Sequence, residues 1–202
     1  LYAACFRVMA EISEQLGKGG NAYRLEYEKL TAAIEKFFWD EEKGAYIDSF
    51  TSGKRNVTRH ANIFAVLFSI ADKQKQKKIL TNVLENDEIP AITTPYFNFF
   101  ELDVLCQMGK LTEVLDKIRS YWGGMLDLGA VTFWEEYDPS VPKEEQYDMY
   151  GDRFGKSLCH AWAASPIYFL AKYFAGLDLV NKGDIIYVLK PQMQYFTDLD
   201  CT

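Results

Sequence analysis

The sequence predicts an all-α chain of the α/α-toroid type, incomplete as a ring and carrying a short β segment at its C-terminus. Three observations predict it. Apolar residues recur at helical spacing through most of the chain; helices apolar all round alternate with helices apolar on one side only; and the last run of β-branched and aromatic residues has strand character. The alternation separates a toroid from a simple four-helix bundle, in which every helix would be amphipathic in the same way.

Leu1, Cys5, Val8, Met9, Ile12 and Leu16 share one helical face, and the pattern stops at Gly17, with Gly19 and Gly20 as further breakers. A second helix runs from about Ala22 to Phe38 and carries Tyr23, Tyr27, Leu30, Ile34, Phe37 and Phe38 on one side. Gly44 to Asp48 reads as a short extended piece. From Thr58 to Ile70 the run Ile63-Phe64-Ala65-Val66-Leu67-Phe68 is apolar on every side, which requires burial all round. Gln74 to Leu84 is one-sided through Ile79, Leu80, Val83 and Leu84. Thr94-Pro95 opens the next helix, with threonine as cap and proline as first residue, and Tyr96 to Met108 stays apolar until Gly109. Leu111, Val114, Leu115, Ile118, Tyr121 and Trp122 mark a further amphipathic helix, and Ser157 to Phe174 the last. Seven helices do not close a ring of twelve, so an open arc or a piece of a larger domain is expected.

The stretch from Gly123 to Lys156 breaks this rhythm. Loops longer than about 12 to 15 residues are either functional or disordered, and Trp134, Tyr137, Tyr147 and Tyr150 argue against disorder. Asp184 to Pro191 resembles the first strand of a different, β-rich domain, which places a boundary between a partial toroid at 1–178 and a β segment at 179–202.

Composition narrows the function. The chain has 202 residues, of which 49% are hydrophobic and 15% aromatic, so it can bury a sizeable core. A net charge of −7 and no basic stripe argue against nucleic acid as a partner. The lysines at 73, 75, 77 and 78 read as a solvated helix face. Cys5, Cys106, Cys159 and Cys201 have no CxxC spacing; Cys5 and Cys106 fall on apolar helical faces and read as buried free thiols, which leaves the compartment open. No apolar run reaches the roughly 18 residues of a membrane span, and no signal sequence is visible. The chain opens on Leu1 in a helical pattern, as if cut from something longer.

Two blocks carry the chemistry: Gly129-Ala130-Val131-Thr132-Phe133-Trp134-Glu135-Glu136-Tyr137-Asp138-Pro139, and Ser157-Leu158-Cys159-His160-Ala161-Trp162. Carboxylates beside tryptophan, and histidine beside a second tryptophan, suit a sugar, whose apolar face stacks on a ring while its hydroxyls bond to charged groups. Core aromatics and solvated glutamates are the competing explanation. Glycoside hydrolysis takes two carboxyl groups about 5 Å apart in retaining enzymes and about 6.5 to 9.5 Å apart in inverting ones. Glu135 and Glu136 cannot form that pair in an extended segment, because neighbours point to opposite faces. The second carboxyl must come from another element. GxSxG, GxxxxGK and HExxH are all absent, so serine-hydrolase, nucleotide and zincin chemistry lack their motifs. With His60 and His160 as the only histidines, neither a metal nor another cofactor is expected.

The run Ala130 to Glu135, then Ser157 to Pro166, resembles the end of the catalytic domain of the bacterial α-L-rhamnosidases of glycoside hydrolase family 78. Arg59-His60-Ala61-Asn62 with Ala65-Val66-Leu67-Phe68, and Thr94-Pro95-Tyr96-Phe97, are similar to further stretches of that domain, so the likeness runs from about Arg59 to Pro191. The resemblance implies a six-hairpin toroid followed by a β-sandwich, and an inverting hydrolase that releases terminal α-L-rhamnose from rhamnose-containing carbohydrate. Under it, Glu135 matches the general base on the attacking water and His160 a contact to bound rhamnose, while Trp134 adjoins the base and shapes the site; Trp134 and, as the aromatic beside His160, Trp162 are with His160 the expected substrate-binding residues. The family's acidic motif, source of the proton donor, has no counterpart in this chain, so the remainder of the catalytic domain is an implied partner and the chain by itself is expected to be inactive. Two alternatives stay open at this point: a non-catalytic carbohydrate-binding toroid, and another toroidal sugar enzyme such as a uronic-acid hydrolase or an epimerase.

Overall fold

A computed structural model describes residues 1–181, 186–198 and 200. The chain divides into two compact units, Leu1–Ala91 and Ile92–Thr202. Both are built mainly of helices.

The first unit opens with α1 (Tyr2–Gln15) and α2 (Asn21–Phe38), packed as a hairpin. Its turn is a Schellman motif: the Lys18 N–H reaches the Ser13 carbonyl at 2.8 Å and the Gly17 N–H that of Glu14 at 2.9 Å. This needs a left-handed residue after the cap, which Gly17 supplies at φ +68°. The face of α1 turned inward is not the large apolar stripe. Ala3, Ala4, Ala10 and Ser13 are buried, whereas Leu1, Val8, Met9, Ile12 and Leu16 are exposed. At Ala10 the approach is close, since a Cβ on Gly20 would lie 2.5 Å from the Ala10 carbonyl oxygen. Only small side chains fit between backbones so near each other. Cys5 shares the exposed face, and Cys159 is exposed as well, so of the described cysteines only Cys106 is the buried free thiol expected. Cys201 lies outside the described residues.

After α2 the chain forms a two-residue antiparallel pair, β1 (Trp39–Asp40) with β2 (Ala45–Tyr46). Asn62, fully buried on α3 (Arg59–Leu67), bonds the free edge of β2 through the Tyr46 N–H at 2.8 Å and the Tyr46 carbonyl at 2.9 Å. Ile63, Ala65 and Val66 are buried, whereas Phe64, Leu67 and Phe68 of the same apolar run are only half-buried, so the run is not buried on every side as its sequence suggested. α4 (Lys73–Ile79) is capped by the Asp72 carboxylate, which accepts from the Gln74 and Lys75 N–H groups at 2.9 and 2.8 Å, and continues as a π-helical turn, Leu80–Leu84. Its lysines are not all solvated. The Lys75 ammonium pairs with Glu35 and lies 4.9 Å from the Trp39 ring centre, and that of Lys78 lies 5.7 Å from the same ring.

The second unit begins with α5 (Pro95–Gln107), whose buried residues ring the helix: Asn98, Glu101, Leu102, Val104, Leu105 and Cys106. Pro95 is its first residue, but the Thr94 side chain makes no capping bond. α6 (Leu111–Lys117), a π-helical turn (Ile118–Trp122) and α7 (Gly123–Asp127) run on without a break, so helix persists past Trp122 into the stretch expected to be irregular. The last helix is shorter than its apolar content suggested. Ser157 to His160 is non-helical, and helix resumes as a 3-10 turn (Ala161–Ala163), α8 (Ser165–Phe169) and a π-helical turn (Leu170–Phe174). Pro166 explains the start of α8, because proline fits a helix's first turn and breaks its interior. An antiparallel pair closes the described chain, β3 (Leu177–Asn181) with β4 (Ile186–Leu189). The expected terminal strand coincides with β4, its first two residues, Asp184 and Ile185, lying outside the described residues; its partner β3 is an addition.

Candidate active site

The two sequence blocks meet in the second unit. Residues 132–135 and 157–160 run as an irregular antiparallel pair: the Glu135 N–H donates to the Ser157 carbonyl at 2.9 Å, the His160 N–H donates to the Phe133 carbonyl at 2.8 Å, and the Thr132 hydroxyl donates to the Leu158 carbonyl. Extended backbone sends successive side chains to opposite faces. Trp134 therefore packs inward at 3% exposure against Tyr147, ring centres 5.6 Å apart. Glu135 is buried as well, and Glu136, partly buried, takes part in none of its hydrogen bonds although both carboxylates lie in the field of Tyr150 and Lys156.

Each oxygen of the Glu135 carboxylate is held. Oε1 accepts from the Tyr150 hydroxyl at 2.7 Å, Oε2 accepts from the Ser157 N–H at 3.0 Å, and His160 Nδ1 stands 3.8 Å from Oε2. The Tyr150 hydroxyl, then the Ser157 N–H, holds this carboxyl below its ordinary value; burial opposes them, and the nearness of His160 and Lys156 assists. Glu135 is thus an ionised carboxylate at neutral pH although only 5% exposed. Lys156, also buried, has its ammonium pushed below the ordinary lysine value by burial, against the field of Glu136, Asp138, Asp148 and Glu135.

His160 and Trp162 form the accessible side. Their ring centres are 4.1 Å apart with planes 35° from parallel; Trp162 is 40% exposed and the His160 side chain 31%. The Trp162 indole N–H donates to the Glu135 carbonyl at 3.0 Å, and Tyr96 of α5 packs near its ring, with ring centres 5.5 Å apart and planes 40° from parallel. Trp122, through its indole N–H on the Ala163 carbonyl at 2.8 Å, ties the helix before α7 to the turn carrying Trp162. An apolar cavity lined by Trp122, Met125, Leu126, Val131 and Phe133 lies beside the first block, and neither Glu135 nor His160 takes part in its lining.

All four residues singled out in the sequence therefore belong to one cluster, with Trp134 a buried support and Trp162 the open aromatic face. Tyr150 and the Ser157 N–H were not singled out. A Tyr-Gly step inside the long loop was the one available sign of the turn that presents Tyr150. Among the described residues no group of three or more His, Cys, Asp or Glu is placed to hold a metal ion, and no helix is long and apolar enough to cross a membrane.

The bacterial alpha-L-rhamnosidase 6 hairpin glycosidase domain matches residues 1–174. The chain belongs to that family. Among solved structures, the rhamnosidase from Klebsiella oxytoca with rhamnose bound is 30% identical to this six-hairpin chain, with a TM-score of 0.72 over 85% of the chain and 32% of that protein. The GH78 family rhamnosidase of Bacillus sp. GL1 is 27% identical, with a TM-score of 0.78 over 95% of the chain and 20% of that protein. The six-hairpin chain thus spans a third or less of either rhamnosidase. No curated protein matches it. The helical architecture with its terminal strand pair is that of the six-hairpin glycosidases.

Proposed function

We propose that this chain is the part of an inverting α-L-rhamnosidase that supplies the catalytic base and one wall of the sugar site. The observation that carries the proposal is the Glu135 carboxylate: buried, held ionised by two donors, and set beside the His160–Trp162 pair. In this reaction Glu135 takes a proton from water as the water oxygen bonds to the anomeric carbon; the glycosidic oxygen departs with a proton from a carboxylic acid on another element of the complete domain. His160 bonds a sugar hydroxyl and the exposed face of Trp162 stacks on the ring, while Trp134 acts from beneath by fixing the backbone of Glu135. The rhamnose bound to the Klebsiella oxytoca protein supports rhamnose as the sugar. The catalytic domain in this proposal is the helical part of the chain, expected to end near residue 178, and the pair β3–β4, which begins already at Leu177, supports the C-terminal segment as the opening of a β-sandwich.

The test is release of the aryl group from an aryl α-L-rhamnoside. A protein carrying the whole six-hairpin domain should release it and the 202-residue chain alone should not. His160→Ala in the complete protein should raise KM by about tenfold with a smaller change in kcat, the pattern of a lost binding contact worth about 1.4 kcal/mol. No hydrolysis by the complete protein, or an unchanged KM in the variant, would overturn the corresponding assignment.

A further inference from the structure

Tyr150 sits where a tyrosine is locally disfavoured. Met149 and Asp152 exchange two backbone hydrogen bonds, both of 2.9 Å, around Tyr150 at φ +56° and Gly151 at φ +78°. That is a two-residue turn with both central residues left-handed, a type that favours Asn, Asp or Gly at its first central position. The ring gains little from packing. Tyr150 is 78% exposed, and among the described residues its ring has no aromatic neighbour. What the position gains is the bond from its hydroxyl to Oε1 of Glu135.

The surrounding chain fixes the turn. Gly155 lies so close that a Cβ there would fall 2.2 Å from the Met149 carbonyl oxygen, the Gly155 N–H reaches the Asp152 carbonyl at 3.1 Å, and the Lys156 N–H reaches the Tyr147 carbonyl at 3.2 Å. Residues 147–157 thereby fold back on themselves and deliver two donors, the Tyr150 hydroxyl and the Ser157 N–H, to the two oxygens of one carboxylate. A carboxylate has about four acceptor sites, so each oxygen keeps one free while the group as a whole cannot rotate.

We propose that Tyr150 is a positioning residue for Glu135: it touches no reacting atom, and its hydroxyl locks the rotation of the carboxylate so that a free lone pair meets the attacking water. The inference rests on Glu135 being the base. Its exposure also makes Tyr150 a donor that can be removed without opening a cavity, so the bond can be tested separately from folding.

The experiment is the pH dependence of kcat/KM, with an aryl α-L-rhamnoside, for the complete six-hairpin protein and its Tyr150→Phe, Tyr150→Asn and Glu135→Gln variants. The acid limb of kcat/KM reports the base of the free enzyme. Tyr150 holds the Glu135 carboxyl below its ordinary value, so Tyr150→Phe should move that limb to higher pH and lower kcat roughly tenfold, the effect of one lost bond to a charged group, with KM little changed. Tyr150→Asn tolerates the left-handed turn but cannot reach Oε1, so it should match Tyr150→Phe. In the Glu135→Gln background, adding Tyr150→Phe should have no further effect. An unmoved acid limb in Tyr150→Phe, or impairment in Tyr150→Asn alone, would overturn the positioning role while leaving Glu135 as base intact. Full activity of Glu135→Gln would instead remove the base assignment, and with it the positioning role.

Discussion

Glutamine in place of Glu135 should lower kcat by about 10² to 10⁴ in a protein that carries the whole six-hairpin domain, while Glu136→Gln should leave it within a few fold. Glutamine preserves size, and its one carbonyl oxygen can still accept from the Ser157 N–H while its NH2 faces the Tyr150 oxygen, but it takes no proton from water, so the loss falls mainly on the barrier; positioned acid–base groups contribute about that range, or about 3 to 5 kcal/mol. Glu136 is the control because it sits one residue on and shares none of the donors that hold Glu135. Steady-state kinetics on the two variants with an aryl α-L-rhamnoside check the pair of outcomes. A crippled Glu136→Gln beside an active Glu135→Gln would reverse the assignment.

The largest effect on stability is expected at Trp134. Its ring is 3% exposed and packs on Tyr147, and deleting a buried tryptophan to alanine typically destabilises by about 3 to 5 kcal/mol through lost transfer energy and the cavity left behind. Trp162, at 40% exposure, should lose far less on the same change, yet weaken sugar binding more. Thermal unfolding of the two alanine variants, paired with KM, separates a supporting ring from a stacking ring. Trp162→Ala as the less stable of the two would contradict the roles assigned here.

Much of the helical order was legible because its stops are local. Gly17 and Gly109 end helices in left-handed turns that glycine adopts without strain, and Pro95 opens one where its missing N–H is not needed. The large stripe on α1 shows the limit. Periodicity says that one face is apolar, but the buried face is the one of Ala3, Ala4, Ala10 and Ser13, and a contact as close as that of Gly20 with the Ala10 carbonyl is contained in no count of apolar residues. The apolar content of Ser157 to Phe174 likewise suggested a helix, whereas Ser157 and His160 form backbone bonds to the Glu135 segment and Pro166 resets the start.

The candidate site was legible as two blocks of suitable residue types. The expectation that Glu135 and Glu136 face opposite sides assumed extended backbone, whereas the chain bends at Glu135; what distinguishes the two is that only Glu135 holds the Tyr150 hydroxyl and the Ser157 N–H. The meeting of Glu135 with His160 was not legible, since it depends on bonds between residues more than twenty positions apart. Tyr150 was out of reach for a different reason: its reach to Glu135 depends on a left-handed φ at a residue type that rarely adopts one.

The most direct test of Glu135 as a base on water is the stereochemistry of the first sugar released. The anomeric proton of rhamnose, followed by ¹H NMR through the first minutes of hydrolysis of an aryl α-L-rhamnoside by the complete six-hairpin protein, should appear first as the β-anomer and equilibrate afterwards by mutarotation. Water assisted by a base attacks once and inverts the centre, whereas a carboxylate acting as nucleophile gives two displacements and retention. Initial release of the α-anomer would contradict the role of Glu135 as the base on water.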